Sequence, residues 1–229
     1  MGSSWVNVVR GTLRYAIGAK CAWRDNTLGD MLALDIETTN FSHEIGGWGH
    51  SHLFEPSVVA TWDGEEGVVY CNENVSKYLP EGTVIKSLHP KVIGDDLANH
   101  VSKGGMVLGH NLKMFDLPII RDSLDCWTAR DIMSKSDEQV FDTSALLKRI
   151  VGHAVPLSDA CYHTLTKGKL MNSHDAPIEW RKGNHSKVAE YCLKDAELVY
   201  ELWQHGVDEG FVKARCRKSG LVKEYEVDW

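Results

Sequence analysis

"MLALDIETTN", residues 31 to 40, sets two acids, Asp35 and Glu37, directly behind an apolar run. Met31, Leu32, Ala33 and Leu34 read as a buried strand, and Thr38, Thr39 and Asn40 as its exit. On a strand, residues i and i+2 face the same side, so both carboxylates point into one space. Like charges at a sheet edge repel each other unless a cation sits between them. The stretch therefore asks for a metal.

Outward from this strand, a Gly/His/Ser-rich loop leads to "SVVATW" (57–62), and "DGEEG" joins it to "VVYC" (68–71). These two β-rich runs read as a hairpin. "PKVIGDDLANHVSK" (90–103) carries apolar residues at 92, 93, 97 and 101, a helical pattern opened by a proline. "GGMVLGHN" (104–111) is a second short buried strand, and "FDLPIIRDSL" (115–124) a helix with proline in its first turn. "FDTSALLKRI" (141–150) and "LSDACYHTL" (157–165) start helices under Asp or Ser caps. A last long helix is expected from near Ser186, with Val188, Tyr191, Cys192, Asp195, Leu198, Val199 and Leu202 on one stripe. "LRYAIGAKCAW" (13–23) fits either a strand or a short helix ahead of the core. A β-meander followed by alternating helix and strand predicts an α/β or α+β layer fold with a mixed sheet.

The 229 residues, 43% hydrophobic and 25% charged, suit one globular domain of ordinary composition, with or without an appendage. A net charge of −7 argues against a general nucleic-acid coat protein. It leaves room for an enzyme that holds a short strand through local charge. "FVKARCRKSGLVK" (211–223) carries five basic residues and no acid, and residues 167–187 carry Lys167, Lys169, Arg181, Lys182 and Lys187. Both stretches read equally as solvated surface or as phosphate-tracking patches. Six scattered cysteines without a C-x-x-C pair favour reduced thiols. No apolar run approaches the roughly 18 residues of a membrane span. A cytoplasmic home without a membrane partner is expected.

Two further acids belong with the first pair. Asp116 closes "GHNLKMFD", after a buried strand and at the start of a helix, where it stands at the same kind of strand exit or acts as a helix cap. Asp195 lies on the core-facing stripe of the last helix, where a carboxylate is costly unless it is paired or bound to a cation. Four carboxylates without a matching His or Cys point to a hard cation, Mg²⁺ or Mn²⁺. Two such ions about 3.5–4 Å apart serve in-line phosphoryl displacement. His43, His50 and His52 cluster in the first loop, but no Cys or acid completes a zinc spacing.

"DIET" (Asp35, Glu37), "HNLKMFD" (Asn111, Phe115, Asp116) and "YCLKD" (Tyr191, Asp195) resemble, in order, the Exo I, Exo II and Exo III motifs of the DEDD 3′–5′ exonucleases. The Y-x-x-x-D form of the third resembles the DEDDy branch, which includes polymerase proofreading domains and helicase-associated exonucleases. D-x-E arises by chance about once in such a chain, but N-x-x-x-F-D only roughly 0.02 times. "LTKGKL" (165–170) is similar to the family's "LG-x-GK" stretch.

The resemblance implies a ribonuclease H-like α/β fold, a central mixed β-sheet flanked by α-helices. The exonuclease domain would span residues 31–206, between an unassigned extension (1–30) and a basic tail (207–229). Asp35, Glu37, Asp116 and Asp195 would hold two divalent ions, and Tyr191 would orient the attacking water. Thr38 would meet the 3′ end, Asn111, with His110 beside it, would contact the terminal nucleotide or support Asp116, and Phe115 would be core or touch the last base. The implied substrate is nucleic acid, DNA favoured over RNA, with a helicase or polymerase as the implied partner. The alternatives are an RNA-trimming enzyme and a non-catalytic module of the same fold.

Overall fold

The computed structural model describes residues 30–229, so "LRYAIGAKCAW" lies outside the described residues. β1 (Met31–Thr38) is followed by two single 3-10 turns (Ser42–Ile45 and Ser51–Leu53), β2 (Pro56–Trp62), β3 (Gly67–Tyr70) and β4 (Val84–Lys86). Then come α1 (Pro90–Ser102), β5 (Met106–Gly109), α2 (Asp116–Asp122), α3 (Trp127–Ser134), α4 (Ser136–Gln139) and β6 (Val140–Asp142). The chain continues through α5 (Thr143–Val151), α6 (Leu157–Leu165), α7 (Ala176–Arg181), α8 (His185–Glu209), β7 (Phe211–Arg215) and β8 (Val222–Glu226).

Six strands form one mixed sheet in the order β4-β3-β2-β1-β5-β6, with helices on its faces, an α/β architecture. β1 pairs antiparallel with β2 and parallel with β5, so the expected first strand and hairpin are both present. β4, parallel to β3, was not expected: its three residues are too few to show a period. Among the described residues, no helix is long and apolar enough to cross a membrane.

The period of two along β1 divides the core. Met31 and Ala33 pack with Leu147 of α5, Cys161 of α6 and Leu198 and Leu202 of α8. Leu34 and Ile36 pack on the other face with Ile93 and Leu97 of α1, Ile119 of α2 and Ile132 of α3. The stripe anticipated on α8 is buried throughout, and Val188, Tyr191 and Cys192 reach Val58 and Ala60 of β2. Close approach needs Gly67, where a Cβ would lie 2.8 Å from a Leu193 methyl. α6 starts at Leu157, ahead of the Ser158 expected to cap it. Pro156 holds the cap position at φ −64°, already suited to helix entry.

Of the basic tail anticipated at 207–229, the first residues continue α8 to Glu209 and the rest form the β7–β8 hairpin against α6 and α8. Val212 and Ala214 point inward between Lys213 and Arg215, an alternation hidden in a run that reads as merely basic. Trp229 closes this layer: its indole Nε1 donates to the Trp203 carbonyl at 3.0 Å, and its ring meets Phe141 edge-on. Gly206 makes room, because a Cβ there would lie 1.9 Å from the indole nitrogen. Trp229→Ala should cost about 3 kcal/mol of unfolding free energy in urea denaturation. Gly206→Val should displace the same ring, so the double variant should lose less than the sum of the two.

Candidate metal centre

The acids gather at the C-terminal end of β1. Asp35 and Glu37 project from β1 on the side covered by α8, following Met31 and Ala33. Asp195 comes down from α8, 2% exposed, one helical turn beyond Tyr191. One carboxylate oxygen from each of Asp35, Glu37 and Asp195 lies within 4.8 Å of the others. This is the one such acid or His/Cys group among the described residues, and His43, His50 and His52 form none.

Asp116 is the first residue of α2, with Phe115 at the N-cap, so it is not spent on capping. It is 4% exposed and lines the same cavity, outside the tight three-carboxylate group. The turn that presents it is held from below. Asn111 adopts the left-handed conformation (φ 77°), which an asparagine tolerates better than most residues. Its N–H and that of Lys113 donate to the two Asp142 oxygens at 3.0 Å, and the N–H of Ala145 adds a third bond as the α5 cap. Asp142 was expected only to cap a helix. It ties the end of β6 to the turn ahead of Asp116.

A cavity of about 310 Å³ opens above the carboxylates. Its floor is Asp35, Glu37, Asp116 and Asp195; Thr38, His110 and Asn111 stand around it, and Phe41, Trp48, Phe54 and Phe115 form an aromatic wall. Phe115 meets both Trp48 and Phe54 edge-on, at ring separations of 5.5 and 5.4 Å. Trp48 keeps 69% of its surface in solvent. The Thr38 hydroxyl donates to the Asn40 carbonyl at 2.9 Å. Both His110 ring nitrogens are engaged, Nδ1 with Thr143 Oγ1 and Nε2 with the Val155 carbonyl, each at 2.9 Å. Burial holds His110 down to about 4. With the ring neutral, Nε2 donates to the Val155 carbonyl, while the single Thr143 hydroxyl proton faces both Nδ1 and the Gly109 carbonyl, 3.0 Å away.

Crowding and burial act together on the acids. Asp35 is pushed well above the usual carboxylate range, first by burial and then by Asp195, Glu37 and Asp116. Glu37 rises from burial and Asp195, with Lys169 opposing. Asp116 is pushed up to about 8, chiefly by burial. Asp195 is also raised by burial, against the pull of Lys169.

Lys169 is the residue that sequence reasoning missed. Its ammonium pairs with Asp195 and lies 3.2 Å from the Tyr191 hydroxyl, which also meets Ser173 Oγ at 3.3 Å. In sequence Lys169 is one of several lysines, and only its place in "LTKGKL" set it apart.

The donor set fits divalent cations. Asp35 Oδ2 and Asp195 Oδ1 are buried without a hydrogen-bond partner, a costly state that a cation would relieve. All the donors are carboxylate oxygens, the chemistry of Mg²⁺ or Mn²⁺ rather than zinc. Compared with protein-family models and with curated proteins, the chain matches none.

The raised acids fix a sign for stability against pH. Asp116 in the folded chain holds its proton up to about 8, whereas its unfolded value is 3.8. Between these values the folded state binds more protons, so stability falls as pH rises. Above pH 6.5 the His110 ring, neutral in the folded chain, is more than half neutral in the unfolded one too, so its opposing effect fades as pH rises. Metal-free protein should therefore lose stability from pH 6.5 to 8 in chemical denaturation, and Asp116→Asn should flatten the slope.

Proposed function

We propose that the chain is a metal-dependent 3′–5′ exonuclease with a ribonuclease H-like fold, releasing 5′-mononucleotides from nucleic acid, DNA favoured over RNA. The observation that carries this is the convergence of Asp35, Glu37 and Asp195 within 4.8 Å, two of their buried oxygens unpartnered, with Asp116 in the same cavity. These four are the acids of the three motifs, and Tyr191 of the third stands beside them.

Asp35, Glu37, Asp116 and Asp195 would hold two Mg²⁺ or Mn²⁺ ions, which supply charge neutralisation at the phosphate and a more acidic bound water. The protein's own part is positioning. The fully buried ring of Tyr191 fixes where its hydroxyl points, and that hydroxyl can accept from or donate to an attacking water. Its pKa is driven upward, by burial first and the surrounding acids next, so it stays protonated throughout the working range. Tyr191 therefore orients water and does not act as a phenolate base.

The aromatic wall supports a substrate that carries bases as well as phosphates. Trp48 is braced by Phe54 and Phe115 and leaves most of its surface open at the cavity edge. A base stacked there would contribute about 1–3 kcal/mol regardless of its identity. The Asn111 side chain, exposed at the rim, is placed for a polar contact with the same nucleotide.

Purified protein with Mn²⁺ and 5′-end-labelled single strands, in DNA and RNA versions, tests this. Stepwise shortening from the 3′ end is expected, lost in Asp35→Ala, Glu37→Ala, Asp116→Ala and Asp195→Ala. Strand binding without any turnover would replace the enzyme by a binding module. Tyr191→Phe should lower turnover roughly 10-fold or more while leaving metal affinity unchanged. Trp48→Ala should raise KM by roughly 10-fold with little change in kcat.

A further inference from the structure

We propose that Lys169 is the resident cation of the acidic centre and that divalent metal binding expels it, releasing the segment around residues 166–173. The inference rests on the metal-centre assignment above and adds a second state to that site.

Three features of the structure lead to it. The first is position. The Lys169 side chain is only 15% exposed, and its ammonium is paired with Asp195, itself 2% exposed, and sits over the Tyr191 ring at 5.4 Å. An ammonium in that position takes one of the Asp195 oxygens that a metal would use. The second is space. Asp35, Glu37 and Asp195 converge within 4.8 Å, close to the span of oxygens around one small cation at about 2.1 Å. An ammonium and a divalent ion cannot both sit on the Asp195 carboxylate without a strong repulsion in a low-dielectric site.

The third is the segment itself. Between α6 and α7, Thr166, Lys167, Gly168, Leu170, Asn172 and Ser173 are exposed, and Lys169 is the residue that reaches inward to the acids. Thr166 is left-handed (φ 60°), and a Cβ on Gly168 would meet nothing within 4 Å, so the backbone around Lys169 has room to rearrange. Lys167 pairs with Glu201 at 2.6 Å, but half-exposed, a weak tether. The ion pair of Lys169 is thus the charged anchor of the segment, beside the neutral Ser173–Tyr191 hydroxyl contact at 3.3 Å.

Its release has a consequence for the site. Leu157, Lys169 and Ser173 line both the cavity above the carboxylates and a neighbouring one of about 580 Å³. Withdrawal of Lys169 with its segment takes two of these three residues, Lys169 and Ser173, out of the boundary between them. Metal loading and widening of the strand-binding cleft become one event. Without metal the lysine stabilises the acids and holds the cleft narrow.

Hydrogen–deuterium exchange of the full chain, with and without Mn²⁺, reads this directly, alongside calorimetric Mn²⁺ titration of wild type and Lys169→Met. In wild type, Mn²⁺ should speed exchange across residues 166–173. Lys169→Met should exchange fast there without metal and bind Mn²⁺ roughly 10-fold tighter, since no closed state competes. Where Lys169→Met does not fold without metal, the wild-type exchange alone decides. Heat of Mn²⁺ binding with unchanged or slower exchange at 166–173 would overturn the proposal while sparing the metal centre. Absence of Mn²⁺ binding to either protein would overturn both.

Discussion

The structure turns on the repulsion among carboxylates at the end of β1. Two unit charges 4 Å apart repel by about 4 kcal/mol at an effective dielectric of 20, a large share of a domain's net stability. Here three acids converge and a fourth stands close by. The metal-free chain meets this in two ways. Burial raises the pKa of the acids, so that part of the charge is removed by protons, and Lys169 brings a positive charge against Asp195. Neither suffices, since Asp35 Oδ2 and Asp195 Oδ1 remain buried and unpaired. The proposed divalent cations would neutralise what protons and Lys169 leave uncompensated.

The surrounding architecture holds the acids in place despite that repulsion. β1 is paired on both sides, and α8 lies across β1 and β2 with a continuous apolar stripe. Tyr191 and Asp195 are fixed because their neighbours on the stripe, Val188, Cys192, Leu198 and Val199, are fully or almost fully buried. On the other side Asp142 collects three backbone N–H groups and locks the left-handed turn at Asn111. Small movements of Asp35, Glu37 and Asp195 are resisted by core packing, and those of Asp116 also by this hydrogen-bonded turn. Three members of the aromatic wall, Phe41, Trp48 and Phe54, stand by contrast on the loop between β1 and β2, while Phe115 caps α2 beside Asp116.

Much of this was legible in the sequence. The period of two put Asp35 and Glu37 on one face of β1, and the period of 3.6 put Tyr191 and Asp195 on the buried stripe of α8. Asp116 was legible as an acid at a strand exit, though its separation from the tight three-carboxylate group was not. Lys169 was not legible as part of the centre, because a lysine in an exposed run looks like any solvated lysine until the tertiary fold brings Asp195 to it. The same holds for Asp142, whose backbone donors come from residues 29 and 31 positions earlier. Trp48 reads as one more aromatic, with Phe41 and Phe54, in a Gly/His/Ser-rich loop. The β7–β8 hairpin was hidden because basic side chains alternate with only two small apolar ones.

Whether the carboxylates at the end of β1 hold divalent metal is read from anomalous diffraction of crystals grown with Mn²⁺. Manganese peaks are expected between Asp35, Glu37 and Asp195, with oxygens at roughly 2.1–2.2 Å and the Lys169 ammonium withdrawn from Asp195. A crystal saturated with Mn²⁺ that shows no anomalous peak there, with Lys169 still paired to Asp195, would contradict the metal-centre assignment.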